Sequence, residues 1–421
     1  MINISKLYCG QVTPGDWLRY GKAGSGERAG DVVPKEASER RPIVVWNITR
    51  ACNLKCVHCY NDSGGEKAAN ELETKEAKGV LDDLAGFGVP SVLFSGGEPL
   101  MRGDLFELLE YARGLGLRTV ISTNGTLIDN EKAERIKEAG VSYVGVSLDG
   151  IGEVNDAFRG VKGAFDRAVE GIRNCMRVGV RVGLRLTLTK RNMQDLDGLF
   201  DFFEEEGIER VCFYHLVPSG RGRDIAGEVL NHAETRAAVD KILERARHYK
   251  ESGRATDILT VDNHVDGIYL YLKLLQEDTS RAEKVWELLK WNGGGLYSSG
   301  VGIGCIDFEG KVHPDQFWGH CDLGDVHERS FSEIWSDESN ELLGKLRSRA
   351  DYIRGRCRLC KYLRGCGGSL RERAEWYFGD VWGPEPACYL SDKEIGLDEG
   401  KRAELEADGE NFDISKWGDW V

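Results

Sequence analysis

The sequence predicts an α/β fold built on a parallel sheet, and three observations carry that prediction. Apolar runs suited to buried strands recur six times, at 43–48, 91–95, 117–122, 141–148, 181–189 and 209–216. Amphipathic helical patterns occupy the intervals between them. Six strand-helix units in series require crossover connections, which are right-handed and leave the strands parallel.

Taken in order, the chain opens with an N-terminal segment and linker over 1–41. Its KAGSGERAGDVVPKEASERR stretch at 22–41 is Gly-rich and polar. The strand-helix series fills 42–225. One helix carries Ala77, Val80, Leu81, Leu84 and Phe87 and stops at Gly88. A second carries Leu105, Phe106, Leu108, Leu109 and Ala112 behind Asp104 as N-cap. A third runs from Asp129 to Gly140, and a fourth carries Phe165, Val169, Ile172 and Met176 ahead of Gly179. A helical connector follows over 226–300, with helices at 233–250 and 265–290. In 301–395, CIDFEGKVHPD reads as a hairpin turning near Glu309 and Gly310. The stretch 345–390 is rich in Cys, Arg and Gly without periodic pattern, so it must fold around something other than a hydrophobic core. Residues 396–421 form a C-terminal tail.

The formal net charge of −14, from 56 Lys plus Arg against 70 Asp plus Glu, argues against duplex nucleic acid or an anionic membrane as main partner. No segment reaches the roughly 18 uninterrupted apolar residues of a membrane span, and the N-terminus lacks a signal pattern. A soluble, cytoplasmic chain is expected. Twelve cysteines are many for such a chain. Their clustering at 52–59 and 357–366 favours metal ligation over disulfides.

Cys52, Cys56 and Cys59 sit behind the first strand with Cys-x3-Cys-x2-Cys spacing. Three thiolates can converge on one cluster and leave one metal without a protein ligand. Half of a zinc site, or three unconnected thiols, stays open on spacing alone. The stretch CNLKCVHC is similar to the cluster motif of the radical S-adenosylmethionine (SAM) enzymes. That resemblance implies a partial (β/α)6 barrel and a 4Fe–4S cluster whose fourth iron is chelated by SAM. Reduction of the sulfonium there yields a 5'-deoxyadenosyl radical.

Other motifs fall where that family has them. Gly96, Gly97, Glu98 and Pro99, after the second strand, match the GGEP motif that receives the SAM amino group, with glycines that allow close backbone approach. STNGT and SLDG, after the third and fourth strands, offer Ser122, Asn124, Ser147 and Asp149 at the strand edge where ligands bind in such sheets. His58 stands where the family often has an aromatic that contacts adenine; a solvated loop histidine fits the position equally. Arg185, on the fifth strand, could face the SAM carboxylate or ribose, or pair at the surface.

Cys357, Cys360, Cys366 and Cys388 supply four ligands, enough to close a metal site, and zinc is an alternative by chemistry. Their spacing resembles the SPASM/twitch-type C-terminal extension of radical SAM enzymes, which implies one auxiliary 4Fe–4S cluster for electron transfer or structure. That extension often carries a second auxiliary cluster, but two of its cysteine positions are Leu370 and Asp315 here. Cys305 and Cys321 are then free thiols or partial ligands, Cys175 and Cys212 read as packing residues, and Cys9 is isolated.

The stretches SKLYCG...PGDWLRYGK, VVWNITRACNLKCVHCY and RERAEWYFGDVWGPEPACYLSDKEIG resemble the tetrapyrrole-tailoring radical SAM enzymes of the siroheme-dependent haem route and of haem d1 synthesis. SKLYCG is most similar to members that remove two acetate arms from didecarboxysiroheme to give iron-coproporphyrin III. A siroheme-derived tetrapyrrole is the implied substrate, and ferredoxin or flavodoxin the implied low-potential electron donor. A carboxylate-edged macrocycle calls for aromatic surface with Arg or Lys donors. Trp17, Arg19, Tyr20, Lys22, Tyr214, Arg221 and Arg223 are candidates, with His215 as a candidate ligand of the substrate iron. Three alternatives stay open: a haem d1 enzyme acting on propionate arms, a SPASM-type peptide maturase, and a metal-stabilised binding protein without catalysis.

Overall fold

The computed structural model describes residues 1–12, 40–410 and 412. The strands are β1 (Ile2–Asn3), β2 (Ile43–Asn47), β3 (Val92–Ser95), β4 (Thr119–Thr123), β5 (Val144–Ser147), β6 (Val182–Leu188), β7 (Arg210–His215), β8 (Asp257–Val261), β9 (Ile303–Ile306), β10 (Lys311–His313) and β11 (Gly324–Asp325). Among the described residues they form one open sheet, in the order β1-β8-β7-β6-β5-β4-β3-β2-β9-β10-β11. The six expected strands are β2 to β7, each parallel to the next.

Alternation along each strand sorts residues to two faces. Val44, Trp46, Phe94, Ile121, Val144, Val146, Leu184, Leu186 and Phe213 are all fully buried under the helices and belong to the main core. Burying one such side chain contributes about 1.5–3 kcal/mol. The other face is more polar and carries Asn47, Ser95, Ser122, Ser147, Arg185 and Tyr214. Register places Asn47 beside Ser95, and Ser147 beside Arg185.

Two features extend the sheet beyond six units. The connector at 226–300 is not wholly helical, because β8 lies in it and pairs parallel with β7 through Cys212↔Leu259 and Tyr214↔Val261. On the other side β9 pairs parallel with β2 through Val45↔Cys305, so the C-terminal hairpin continues the same sheet. The hairpin turn falls at Gly310, at φ 86°, with Ile306 opposite Val312.

The helix Thr74–Phe87 buries Ala77, Val80, Leu81 and Leu84 and ends on left-handed Gly88. Asp129 caps Asn130–Glu138 by accepting from the Lys132 N–H. Asp104 stands at an N-cap position without a capping bond; its carboxylate is taken by Arg102 and Thr74. The helix expected over 265–290 breaks at Asp278, whose extended backbone ends Val265–Glu277 and caps Thr279–Asn292. No helix among the described residues is long and apolar enough to cross a membrane.

Candidate functional site

The first cysteine loop leaves β2 at the carboxyl edge of the sheet and is tied down from three sides. The Cys52 N–H donates to Gly64 O at 2.6 Å. Lys55 and Val57 donate to the carbonyls of Arg159 and Phe158 at 3.0 and 2.9 Å. Arg221 donates to the Cys56 carbonyl (2.9 Å), the Asp62 carboxylate (2.8 Å) and the Ser63 carbonyl (2.9 Å). Arg221 is therefore a clamp on this loop rather than a free donor for substrate. Gly220 beside it is required, because a Cβ there would lie 2.5 Å from the carbonyl oxygens of Cys59 and Tyr60.

Two of the three thiols, those of Cys52 and Cys56, are shifted by their surroundings. Burial pushes Cys52 up to about 12, and it raises Cys56 despite the guanidinium of Arg159 beside it. Thiols in such surroundings stay protonated until a metal displaces the proton. Donors already face the sulfurs: the Leu54 N–H is 3.4 Å from Cys52 Sγ and Arg159 is 3.5 Å from Cys56 Sγ. Those contacts fit thiolates bound to a metal cluster.

Asp149, 1% exposed, is the hub on the other side of the loop. It pairs with Arg159 and with His58 Nε2 at 3.1 Å, and accepts from the Thr187 N–H at 2.7 Å. Burial opposes its ionisation, but Arg159, His58 and the Thr187 N–H outweigh burial and hold the carboxyl well below the ordinary range. His58 also packs edge-on against Phe158. Its Nδ1 is buried and lacks a hydrogen-bond partner among the described residues, leaving one ring nitrogen for a ligand.

The GGEP turn is braced from within. Glu98 is fully buried and accepts from the Leu100 N–H (3.1 Å), the Thr123 hydroxyl (2.7 Å) and the Asn124 N–H (2.8 Å). Burial pushes its carboxyl up to about 7 against those three bonds. Pro99 opens the short turn that follows. Both glycines answer to the protein backbone: a Cβ on Gly96 would meet Thr49 O at 2.5 Å, and one on Gly97 would collide with Ala51 O. Asn124 reaches back to the cysteine loop through Asn53 at 2.8 Å. On the polar face Arg185 crosses over Gly145, where no side chain intervenes, and donates to Ser122 at 2.6 Å. Arg185 Nε is buried without a partner among the described residues.

Cys357, Cys360, Cys366 and Cys388 line a single small cavity with Arg356, Glu385 and Gly368. Burial raises all four thiols, Cys360 and Cys388 to about 11, and Cys366 is pushed up further by the other three. The N–H groups of Glu385 and Tyr362 stand 3.3 and 3.4 Å from the sulfurs of Cys357 and Cys360. Four thiols raising one another in a closed cavity fit a cationic metal centre. Leu370, at one lost cysteine position, packs instead with Phe317, Val217 and Tyr60. Asp315 at the other accepts from Ser299 and from the Phe317 N–H.

Other expectations resolve differently. His215 is buried and bound to Asp266 at 2.8 Å, which in turn accepts from Tyr389. It is a core contact and is not poised to ligate a substrate iron. Arg223 is exposed, with Nε 3.4 Å from Pro218 O. Tyr214 remains on the polar face, next to Cys212, Leu259 and Val261. Trp17, Arg19, Tyr20 and Lys22 lie outside the described residues. Cys305 is buried on β9 with Asn47 Nδ2 3.6 Å from its sulfur. Cys9 and Cys175 are also buried.

Sequence reasoning missed Arg159, whose signal is no more than an Arg ten residues beyond Asp149. It also missed Tyr60, which follows Cys59 directly. The Tyr60 hydroxyl reaches Asn47 (3.1 Å) and Ser95 (3.2 Å), so it anchors the loop on the polar face.

Residues 46–203 match the model of the Radical SAM superfamily. The chain is 55% identical over 399 residues to an Fe-coproporphyrin III synthase from Methanosarcina barkeri, covering 94% of this chain and 99% of that one. It is 42% identical over 360 residues to a pre-heme d1 synthase from Dinoroseobacter shibae, covering 85% and 88%. Among solved structures, SuiB of Streptococcus suis bound to the precursor peptide SuiA superposes with a TM-score of 0.64 at 19% identity, covering 89% of this chain and 79% of that one. This last likeness concerns the fold alone.

Proposed function

Because the chain belongs to the radical SAM superfamily, we propose that it converts didecarboxysiroheme to iron-coproporphyrin III by removing the two acetate side chains. The observation that carries this reading is the 55% identity to an Fe-coproporphyrin III synthase, which spans nearly the whole of both chains. Family membership brings a 4Fe–4S cluster and SAM. When bound, they supply a 5'-deoxyadenosyl radical able to attack an acetate arm.

In this reading Cys52, Cys56 and Cys59 hold the open cluster, and the Leu54 N–H and Arg159 stabilise the thiolates. Ser122, Ser147 and Arg185, on the polar face, and His58, whose Nδ1 lacks a partner among the described residues, would be the groups that contact SAM. Glu98, Asn124 and Asp149 are positioning residues, because their polar atoms already brace the loops around the site. Gly96, Gly97 and Pro99 set the close backbone path beside 49–51. Cys357, Cys360, Cys366 and Cys388 would hold a second 4Fe–4S cluster, which would supply one-electron redox chemistry there. A ferredoxin or flavodoxin supplies the low-potential electron. The barrel is assigned to 42–225 and the auxiliary unit to 301–395.

The test is anaerobic incubation with SAM, a strong reductant and didecarboxysiroheme, followed by product mass. Loss of two acetate arms supports the reading. Deoxyadenosine formed only with a propionate-bearing haem precursor, or only with a peptide, refutes it.

A further inference from the structure

The connection between β10 and β11 meets the helix Arg371–Phe378 through three side chains that neither cysteine set uses. A ring nitrogen of His320, the thiol of Cys321 and a carboxylate oxygen of Glu375 all lie within 4.8 Å of one another. His320 Nε2 and Glu375 Oε2 are in direct contact at 2.9 Å. The backbone under them is fixed: the Cys321 N–H donates to Trp318 O at 2.9 Å, and His313 Nδ1 lies 2.7 Å from Cys321 O. Glu375 sits on the helix Arg371–Phe378, whose Arg371 and Arg373 are fully buried.

A second observation concerns Glu372, one turn earlier on that helix and on the same face as Glu375. It is 2% exposed, and neither carboxylate oxygen has a hydrogen-bond partner among the described residues. An unpaired buried carboxylate is costly unless a cation or a donor meets it. Burial first, and then Glu375, Asp315 and Glu372, push the Cys321 thiol up to about 11, so all three carboxyls stand near it; burial likewise pushes the Glu372 carboxyl up to about 9 against Arg373 and Arg223, holding a proton that a bound cation would displace.

We propose that His320, Cys321 and Glu375 form a mononuclear site for a zinc-class divalent ion, with Glu372 as the buried carboxylate behind it. Imidazole, thiolate and carboxylate are together a borderline donor set that suits Zn2+. Tetrahedral ligands at zinc distances stand about 3.3–3.8 Å apart. Closing the triad onto an ion therefore needs side-chain shifts of about 1 Å, with the ion taking the place of the His320–Glu375 contact. Phe317, in the same connection, packs against Tyr60 of the first cysteine loop at 5.7 Å. The ion would tie the β10–β11 connection to the helix beside the barrel mouth.

Metal content tests this without reference to the tetrapyrrole reading, since no substrate is needed. The cluster-loaded protein is equilibrated anaerobically with Zn2+, desalted and analysed for zinc and iron. The wild type should retain about one zinc per chain that a His320→Ala/Cys321→Ser variant loses at equal iron content, and Glu372→Gln should weaken zinc binding about tenfold or more. If the double variant also loses iron, His320→Gln is used in its place, because that side chain is 43% exposed and its loss does not threaten the fold. Wild-type protein that retains no zinc, or variants that retain as much as wild type at matched iron, would overturn the proposal.

Discussion

Arg159, at the end of the helix Glu153–Arg159, and Asp149, just past β5, form a buried ion pair beside the first cysteine loop; their side chains are 7% and 1% exposed. The pair lies where a thiolate must be stabilised, since the other edge of the guanidinium is 3.5 Å from Cys56 Sγ. Removing one charge leaves the other buried and uncompensated, which costs about 3–5 kcal/mol. Asp149→Asn should lower unfolding stability by that amount. The Asp149→Asn/Arg159→Met variant should lose less than the sum of the single losses. Denaturant titration of Asp149→Asn, Arg159→Met and the double variant checks this, and additive losses would mean that the pair is not coupled.

The two buried carboxyls of the site respond to pH with opposite sign. Asp149 is depressed, so its contribution is present above the ordinary carboxylate range and lost as pH falls through its folded value. Glu98 is raised to about 7. Its unfolded form ionises near pH 4.5 while the folded form keeps its proton, so its contribution is full below about pH 4.5 and declines as pH rises to about 7. The decline amounts to about 3 kcal/mol. Glu98→Gln has no such decline, so the stability gap between wild type and variant should narrow by about that amount from pH 4.5 to 7.5. Parallel stability curves across this range would contradict the assignment.

Gly97 offers a steric test of the turn. A Cβ there collides with the carbonyl of Ala51, a backbone atom that cannot swing aside as a side chain end can. Overpacking of this kind costs about 1–3 kcal/mol, and here the strain falls on the residue before Cys52. Gly97→Ala should therefore lower both stability and the iron retained at the first site. Gly103→Ala, where a Cβ meets nothing within 4 Å, should do neither. Iron content and melting temperature of the two variants separate these outcomes.

What the sequence revealed depended on whether the determining contacts carry a pattern. Strands β2 to β7 were legible because their outward residues form apolar runs against the helices. β8 was not: DILTV is short and lies between two strongly helical stretches, and its place comes from pairing with β7. The cysteine spacings and GGEP were legible as motifs, yet the reason for the two glycines lies in contact with residues 49–51, forty-five or more positions away. Arg221 was read as a candidate donor to the substrate because hydrogen bonds to backbone carbonyls leave no trace in composition. His215 was read as a candidate ligand of the substrate iron from its place at a strand end, but the partner that draws it into the core, Asp266, stands on the helix Val265–Glu277.

The two cysteine sets should separate by variant. In the first, on the proposed reading, three thiols with donors at Cys52 and Cys56 hold a cluster that SAM would complete. In the second, four thiols share one cavity and need no outside ligand. Cluster-loaded wild type should then hold about eight irons per chain. Cys360→Ser should fall towards about four, and it should still cleave SAM to deoxyadenosine because the open set is untouched. Release of the acetate fragments should fail in that variant if the second cluster exchanges the electron. Cys56→Ser should also fall towards about four irons while losing SAM cleavage altogether. Iron analysis, deoxyadenosine assay and product mass read the three steps separately. A wild type holding about four irons with zinc in the second cavity would assign that set to structure, and SAM cleavage at the wild-type rate in Cys56→Ser would remove the first set from the reaction.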